Sequence, residues 1–491
     1  MSSLKEACGV AGIILKNPES VKEAAYLSYL CAIALQHRGQ ESAGIASVDE
    51  MHNLTIYRDM GLVSQVFDQS KLDTLEGHLS ISHVRYSTTG ESEVCNAQPL
   101  IMKSKAFHNL ALAHNGNLVN ANQLKEELLK ENFELFTTSD SELIINLIGR
   151  EINCNGDNWT FDAVIEVFKK SLDRACGSFS LAVSLGGEYL VGVRDPNGLR
   201  PLCLGAIKDG NNIKGYVIAS ESCALDVVGA TYIREIAPGE IIVINKDLQI
   251  NSGYLNNINP KFCLFELVYF ARPDSDINDV QVYAYRENLG RLLAINSPIP
   301  PGADIVIGVP DSGTPAAIGY ATQSGIPFAN GLVKNRYIGR TFIQPTQSIR
   351  QLGIRLKLNP LPKIIGGKSV ILIDDSIVRG NTPGQLVKLL KLAGAREVHL
   401  RISSPPIMWG CYYGIAMKDH ELIARKMNGN INEICKHIGA DSLSYLELDN
   451  LLEATHQNKS SFCTACFNGD YPVKIQDKDE YKKDDKKLIL T

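Results

Sequence analysis

A chain of 491 residues, 44% apolar and 21% charged, has the length of roughly two to four globular domains, each able to bury a sizeable core. Its net charge of −5 excludes the basic surface that nucleic acid or an anionic membrane selects, and no apolar run reaches the length of a bilayer crossing. Residues 1–7 lack both the hydrophobic core of a signal peptide and the Arg-rich pattern of a transit peptide, so the expected location is the cytoplasm, where the 12 scattered cysteines serve as buried, catalytic or metal-bound groups rather than as disulfides.

In chain order, residues 9–15 read as a strand and 21–35 carry helical apolar spacing. Residues 81–84, 110–113 and 179–184 read as further strands. At 140–148 acidic residues give way to apolar ones, as at the start of a helix. The Asn-, Gly- and Pro-rich stretch 251–260 marks a linker. Beyond it the rhythm changes. Residues 305–309 and 370–373 are unbroken β-branched runs, each leading into a polar loop and then a helix. Strands buried on both faces of a parallel α/β sheet read this way. The Lys-, Asp- and Glu-rich end, 476–487, reads as a solvated tail.

Cys8 opens the segment Cys8-Gly9-Val10-Ala11-Gly12-Ile13. A cysteine beside a strand is usually a small buried hydrophobe, but four motifs further along the chain change its meaning. They are His37-Arg38-Gly39-Gln40-Glu41-Ser42, then His83-Val84-Arg85-Tyr86-Ser87-Thr88-Thr89-Gly90, His114-Asn115-Gly116-Asn117 and Ser139-Asp140-Ser141-Glu142. Together and in this order, these motifs resemble the N-terminal-nucleophile class of glutamine amidotransferases. Removal of residues 1–7 would give Cys8 an α-amino group with a pKa of about 8, able to take the proton of its own thiol without a histidine partner. A guanidinium at Arg85 suits the carboxylate of free glutamine, and Asp140 suits its ammonium. The resemblance assigns the oxyanion to the Asn115 side chain and the Gly116 N–H, an effect worth about 3–4 kcal/mol per donor. It adds Arg38 and Thr88 to the glutamine-binding set. Singly, Arg85 also reads as a surface ion pair, Asn115-Gly116 as a hairpin turn and Asp140 as a helix cap.

In the second half, the strand run 370–373 delivers Asp374-Asp375, then Ser376-Ile377-Val378-Arg379-Gly380-Asn381-Thr382-Pro383. Two carboxylates at a buried strand end are costly unless something meets them, and two ribose hydroxyls with a Mg²⁺ do so. Thr382 followed by Pro383 suits a helix N-cap and first helical residue, the start of a phosphate site. Pro310-Asp311-Ser312-Gly313-Thr314-Pro315 repeats the strand–loop–helix logic. The first segment resembles the binding motif of type I phosphoribosyltransferases and the second their pyrophosphate loop. By that resemblance Ser312, Asp374 and Asp375 surround Mg²⁺. Phosphoribosyl diphosphate falls to Asp311, Ser312, Gly313, Lys334, Arg336, Asp374, Asp375, Ser376, Arg379, Gly380, Asn381 and Thr382. The basic stretch from Lys334 through Arg340, Arg350 and Arg355 to Lys357 suits a lid over a polyanion, neutralising the leaving pyrophosphate and excluding water.

With Tyr269-Phe270-Ala271-Arg272-Pro273-Asp274-Ser275, both halves resemble one family, the amidophosphoribosyltransferases. The resemblance implies an N-terminal α+β sandwich of the N-terminal-nucleophile type, followed by an α/β parallel-sheet phosphoribosyltransferase domain. It implies glutamine-dependent formation of phosphoribosylamine, the committed step of purine synthesis, with a sheltered ammonia path. The boundaries read as propeptide 1–7, glutamine domain 8–255, phosphoribosyltransferase domain 256–475 and tail 476–491. Cys263, Cys411, Cys463 and Cys466 suit zinc or a 4Fe–4S cluster by their chemistry alone; the resemblance selects the cluster, one per subunit with one Mg²⁺. It further implies a homotetramer inhibited by purine nucleotides. Two other readings stand beside it: a hexosamine-forming amidotransferase sharing the glutamine half, and a non-enzymatic sensor of phosphoribosyl diphosphate.

Overall fold

A computed structural model describes residues 8–86, 92–155, 158–335 and 357–476. Two antiparallel sheets build the first half. One orders its strands Thr231–Glu235, Cys203–Asp209, Asn212–Ala219, Gly9–Leu15, Leu79–Arg85, Ser42–Val48 and Leu54–Met60. The other runs Ile250–Tyr254, Glu240–Asn245, Tyr189–Arg194, Gly177–Leu185, His108–Leu118 and Leu100–Ser104. The side-chain alternation of Gly9–Leu15 explains their stacking. Val10 and Ile14 pack between the sheets with Ala113, Ala182 and Leu190, whereas Ala11, Ile13 and Leu15 pack toward the helix Glu23–Ala34. The helices Asp140–Cys154 and Phe161–Leu172 cover the far face of the second sheet. The four layers, helix–sheet–sheet–helix, are the sandwich expected.

The strands read at 81–84, 110–113 and 179–184 are the centres of longer ones, and the helix read over 21–35 is Glu23–Ala34. The stretch 251–260 is linker only in its second part. Its first part belongs to the strand Ile250–Tyr254, paired antiparallel with Glu240–Asn245. That strand lies at a sheet edge and is largely exposed, so it carries the polar composition of a loop.

The second half holds a parallel sheet ordered Ile305–Gly308, Ser369–Asp374, Glu397–Ile402 and Ser442–Tyr445. Val306, Ile371 and Ile373 face one hydrophobic core, and Ile305, Ile307, Val370 and Leu372 the opposite one. Burial on both faces removes the polar alternation and leaves the continuous apolar runs seen in the sequence. The first two strands lead into the helices Gly313–Ser324 and Asn381–Leu392. The second helix is capped at Gly380, not Thr382, which lies in the first turn. Gly380 has φ 74°, and a Cβ there would come within 2.3 Å of Ile423 Cδ1, so the chain turns into the helix on the residue without a side chain. Among the described residues no helix is long and apolar enough to cross a membrane.

Candidate active sites

Cys8 immediately precedes the central strand Gly9–Leu15, and its Sγ donates to the Tyr86 carbonyl at 3.6 Å. Burial pushes the thiol up; the Tyr86 contact and the charge of Arg85 act against this, while Glu41 and Asp140 reinforce it. Arg85, Glu41 and Asp140 therefore lie within electrostatic reach of the Cys8 sulfur. Arg85 ends its strand and pairs with Glu41 at 2.6 Å. Asp140 opens the helix Asp140–Cys154, capped by Ser139, and accepts from Leu118 N at 2.9 Å.

Asn115 lies on the strand His108–Leu118, two residues beyond Ala113 and on the same face, turned toward the first sheet. Its side-chain nitrogen and oxygen are fully buried and, among the described residues, have no hydrogen-bond partner. Leaving such an amide unmet costs about 1–3 kcal/mol, which marks a place for a ligand. At Gly116 a Cβ would stand 2.0 Å from the Ser178 carbonyl, so only glycine follows Asn115. Two histidines lie near the site, both buried. His83 Nε2 donates to the His114 carbonyl across the two sheets, and burial pushes His83 down to about 3 and lowers His114 as well. Thr88 lies outside the described residues.

Arg38, expected to bind glutamine, is held by the Cys8 backbone and two carboxylates. Its Nε donates to the Cys8 carbonyl at 3.0 Å, Nη2 to Glu266 at 2.7 Å, and Nη1 to both Glu221 and Glu266. Two carboxylates already meet its charge, and its side chain is buried. Glu266 also takes Arg200 at 2.9 Å, and Arg200 Nε donates to the Tyr413 carbonyl at 2.8 Å. Glu221 further accepts from Ser275 Oγ and Arg272 N, so the Tyr269–Ser275 motif docks on the first half. Sequence reasoning did not single out Glu221, Glu266 or Arg200. The available signal was Glu266, a lone charge inside the apolar run 262–270.

In the second half the two loops converge. A Cβ at Gly313 would meet Ile373 O at 2.7 Å and Asp374 Cα at 3.2 Å. Ser312 and Ser376 both donate to the Asp375 carboxylate, the latter at 2.6 Å. Burial pushes both carboxyls up, and the charge of Asp375 pushes Asp374 further. Arg286, from the helix Val282–Asn296, draws Asp375 back down, and is itself held by the carbonyls of Leu267 and Ala271. Lys334 pairs with the exposed Asp311, and Arg379 with Glu421. Asn381 and Thr382 begin the helix. Arg336, Arg340, Arg350 and Arg355 lie outside the described residues.

Cys263, Cys411, Cys463 and Cys466 line one cavity together with Arg200 and Tyr413. Cys263 and Cys463 sit opposite each other on a short parallel strand pair. Burial pushes Cys263 up to about 11 and raises Cys463 and Cys466 further, with neighbouring thiols adding to each. All twelve cysteines are free. Among the described residues no group of three or more His, Cys, Asp or Glu residues is arranged to hold a metal ion.

A family model described as a glutamine amidotransferase domain matches residues 83–227. The chain is 49% identical to the amidophosphoribosyltransferase of Synechococcus elongatus, over 96% of this chain and 92% of that one. It is 46% identical to the amidophosphoribosyltransferase of Archaeoglobus fulgidus, over 95% and 98%. The solved glutamine phosphoribosylpyrophosphate amidotransferase of Bacillus subtilis, complexed with ADP and GMP, aligns with a TM-score of 0.85 at 43% identity, over 96% of this chain and 98% of that one. These matches run through both halves, whereas a hexosamine-forming enzyme would share only the first; the chain belongs to the amidophosphoribosyltransferase family.

Proposed function

We propose that the chain performs its family's reaction, glutamine-dependent amidation of phosphoribosyl diphosphate in purine biosynthesis, as two half-reactions on domains 8–255 and 256–475. The observation that carries the reading is the buried amide of Asn115, unpartnered among the described residues, on a strand that packs against the one Cys8 leads into. In the first half-reaction the Cys8 sulfur adds to the glutamine amide carbon. The Asn115 amide and Gly116 N–H receive the oxyanion. The α-amino group of a processed Cys8 takes the thiol proton and returns it to the departing nitrogen as ammonia leaves. Water then cleaves the thioester to glutamate. Arg85 and Asp140 hold the two charged ends of glutamine, with Thr88 beside them. In the second half-reaction ammonia displaces pyrophosphate from the sugar. Asp374 and Asp375 hold the ribose hydroxyls. Gly380, Asn381 and Thr382 offer backbone N–H groups to the phosphates, aided by Ser376 and Arg379, with Asp311, Gly313, Lys334 and Arg336 at the pyrophosphate.

The oxygen-only set Ser312, Asp374 and Asp375 fits Mg²⁺, which supplies charge for the leaving pyrophosphate. The four cysteines fit a 4Fe–4S cluster. All four line one cavity, and four thiolates are a donor set that such a cluster takes. Iron and acid-labile sulfide analysis tests this. The Bacillus subtilis complex with ADP and GMP supports feedback inhibition by purine nucleotides; a cytoplasmic homotetramer follows from the family resemblance. Residues 1–7 form the propeptide and 476–491 the tail. Mass spectrometry of active enzyme should find Cys8 as its first residue. Full glutaminase activity in a chain that retains residues 1–7 refutes the amine as base.

A further inference from the structure

An oxyanion donor acts only if its position is held, because a misplacement of about 1 Å costs on the order of 10²-fold in rate. Gly116 is gripped from two sides. On one, the Ser178 carbonyl stands where a Cβ would be, 2.0 Å away. On the other lies Gly414, at φ 98°, where a Cβ would stand 3.2 Å from Gly116 C and 3.3 Å from its Cα. Gly414 ends a short segment that begins at the cysteine cavity. Cys411 Sγ accepts from Tyr413 N at 3.4 Å. The Tyr412 carbonyl accepts from Asn117 Nδ2 at 2.9 Å. The Tyr413 carbonyl accepts from Ser178 Oγ at 2.9 Å and from Arg200 Nε at 2.8 Å. The same Ser178 hydroxyl accepts from Asn117 N at 3.0 Å. It thus links the carbonyl of this segment to the peptide next to the oxyanion donor.

We propose that residues 411–414 form a strut from the four-cysteine cavity to the glutamine site, with Ser178 and Gly414 as positioning residues for the Gly116 N–H. The proposal rests on the assignment of Asn115 and Gly116 to the oxyanion. Neither residue touches substrate. Both act by fixing the backbone on either side of Gly116, so their loss lowers turnover without weakening the grip on the charged ends of glutamine. The phosphoribosyl site, built on the parallel sheet, is unaffected.

The test uses the full-length processed enzyme, the variants Ser178→Ala, Gly414→Ala and Asn115→Ala, and the γ-aldehyde analogue of glutamate. That aldehyde adds the Cys8 sulfur to form a hemithioacetal, whose oxygen occupies the oxyanion position. For Ser178→Ala, glutaminase kcat falls about 10-fold and the aldehyde binds about 10-fold more weakly. KM for glutamine, affinity for glutamate and ammonia-dependent synthesis stay within about twofold. Gly414→Ala shifts the same quantities further, about 30- to 100-fold, because its Cβ presses on Gly116 directly. If Asn115→Ala weakens the aldehyde while both other variants bind it as the parent does, the strut is refuted. If Asn115→Ala leaves aldehyde binding unchanged, the oxyanion assignment fails instead. Loss of ammonia-dependent synthesis in step with glutaminase shows a general structural role and also overturns the proposal.

Discussion

The surroundings of Cys8 work against a thiolate. Burial raises the thiol, the Tyr86 contact and Arg85 oppose it, and Glu41 and Asp140 add to it, leaving the net direction upward, against which a base beside the sulfur would help. Cys8→Ser is expected to lower glutamine-dependent synthesis by at least about 10³-fold while sparing synthesis from added ammonia. Parallel loss of both activities would contradict separate sites. A second residue reports on the seam between the halves. Glu235 is largely buried, 3.6 Å from Arg194, and accepts from Asn278 N. Burial outweighs these contacts and pushes its carboxyl up to about 7. A carboxyl raised in the folded state stabilises at low pH, and that contribution is lost as pH climbs from the ordinary carboxyl range through about 7. Glu235→Gln mimics the protonated form. Chemical denaturation should show little change at pH 5 and a gain on the order of 2–3 kcal/mol at pH 8.

At the scale of elements, the two strand–helix loops of the second half depend on how closely backbone can approach backbone. Gly380 turns with φ 74° against Ile423 at the head of the helix Asn381–Leu392. Gly380→Ala strains this turn by about 1–2 kcal/mol and displaces the loop beside Asp375. KM for phosphoribosyl diphosphate should rise about 10-fold, while basal glutaminase stays unchanged. Unaltered KM would show that the loop tolerates a side chain there. Most elements were legible because their periodicity is local. The run 370–373 announces a strand buried on both faces, and the motif order from Cys8 to Asp140 marks the glutamine half. Three features were not. The edge strand Ile250–Tyr254 carries loop composition because water covers it. The cap at Gly380 was hidden because Thr382-Pro383 imitates a cap. The role of Arg38 depends on Glu266, 228 positions away, and no window along the chain brings them together.

Across the whole molecule, the halves are joined by charge as well as by apolar contact. Arg38 and Arg200 come from the first half and Glu266 from the second; all three side chains are fully buried. Buried partners of this kind attract strongly, and losing one side costs about 3–5 kcal/mol because the other is left unpaired in a poor dielectric. The same Arg38 holds the carbonyl of Cys8 and the same Arg200 lines the cysteine cavity, so the seam touches both candidate sites. This limits how the chain can be divided. A fragment ending at residue 255 keeps both guanidinium groups and loses the carboxylate between them, while the complementary fragment keeps Glu266 with neither. Expressed separately, the pieces should aggregate; produced in the same cell, they should recover solubility by pairing, as measured by co-purification. Independent solubility of the 1–255 fragment would show that water can take the place of Glu266. A gene split at this boundary would therefore have to rewrite Arg38 and Arg200 before its products could live apart.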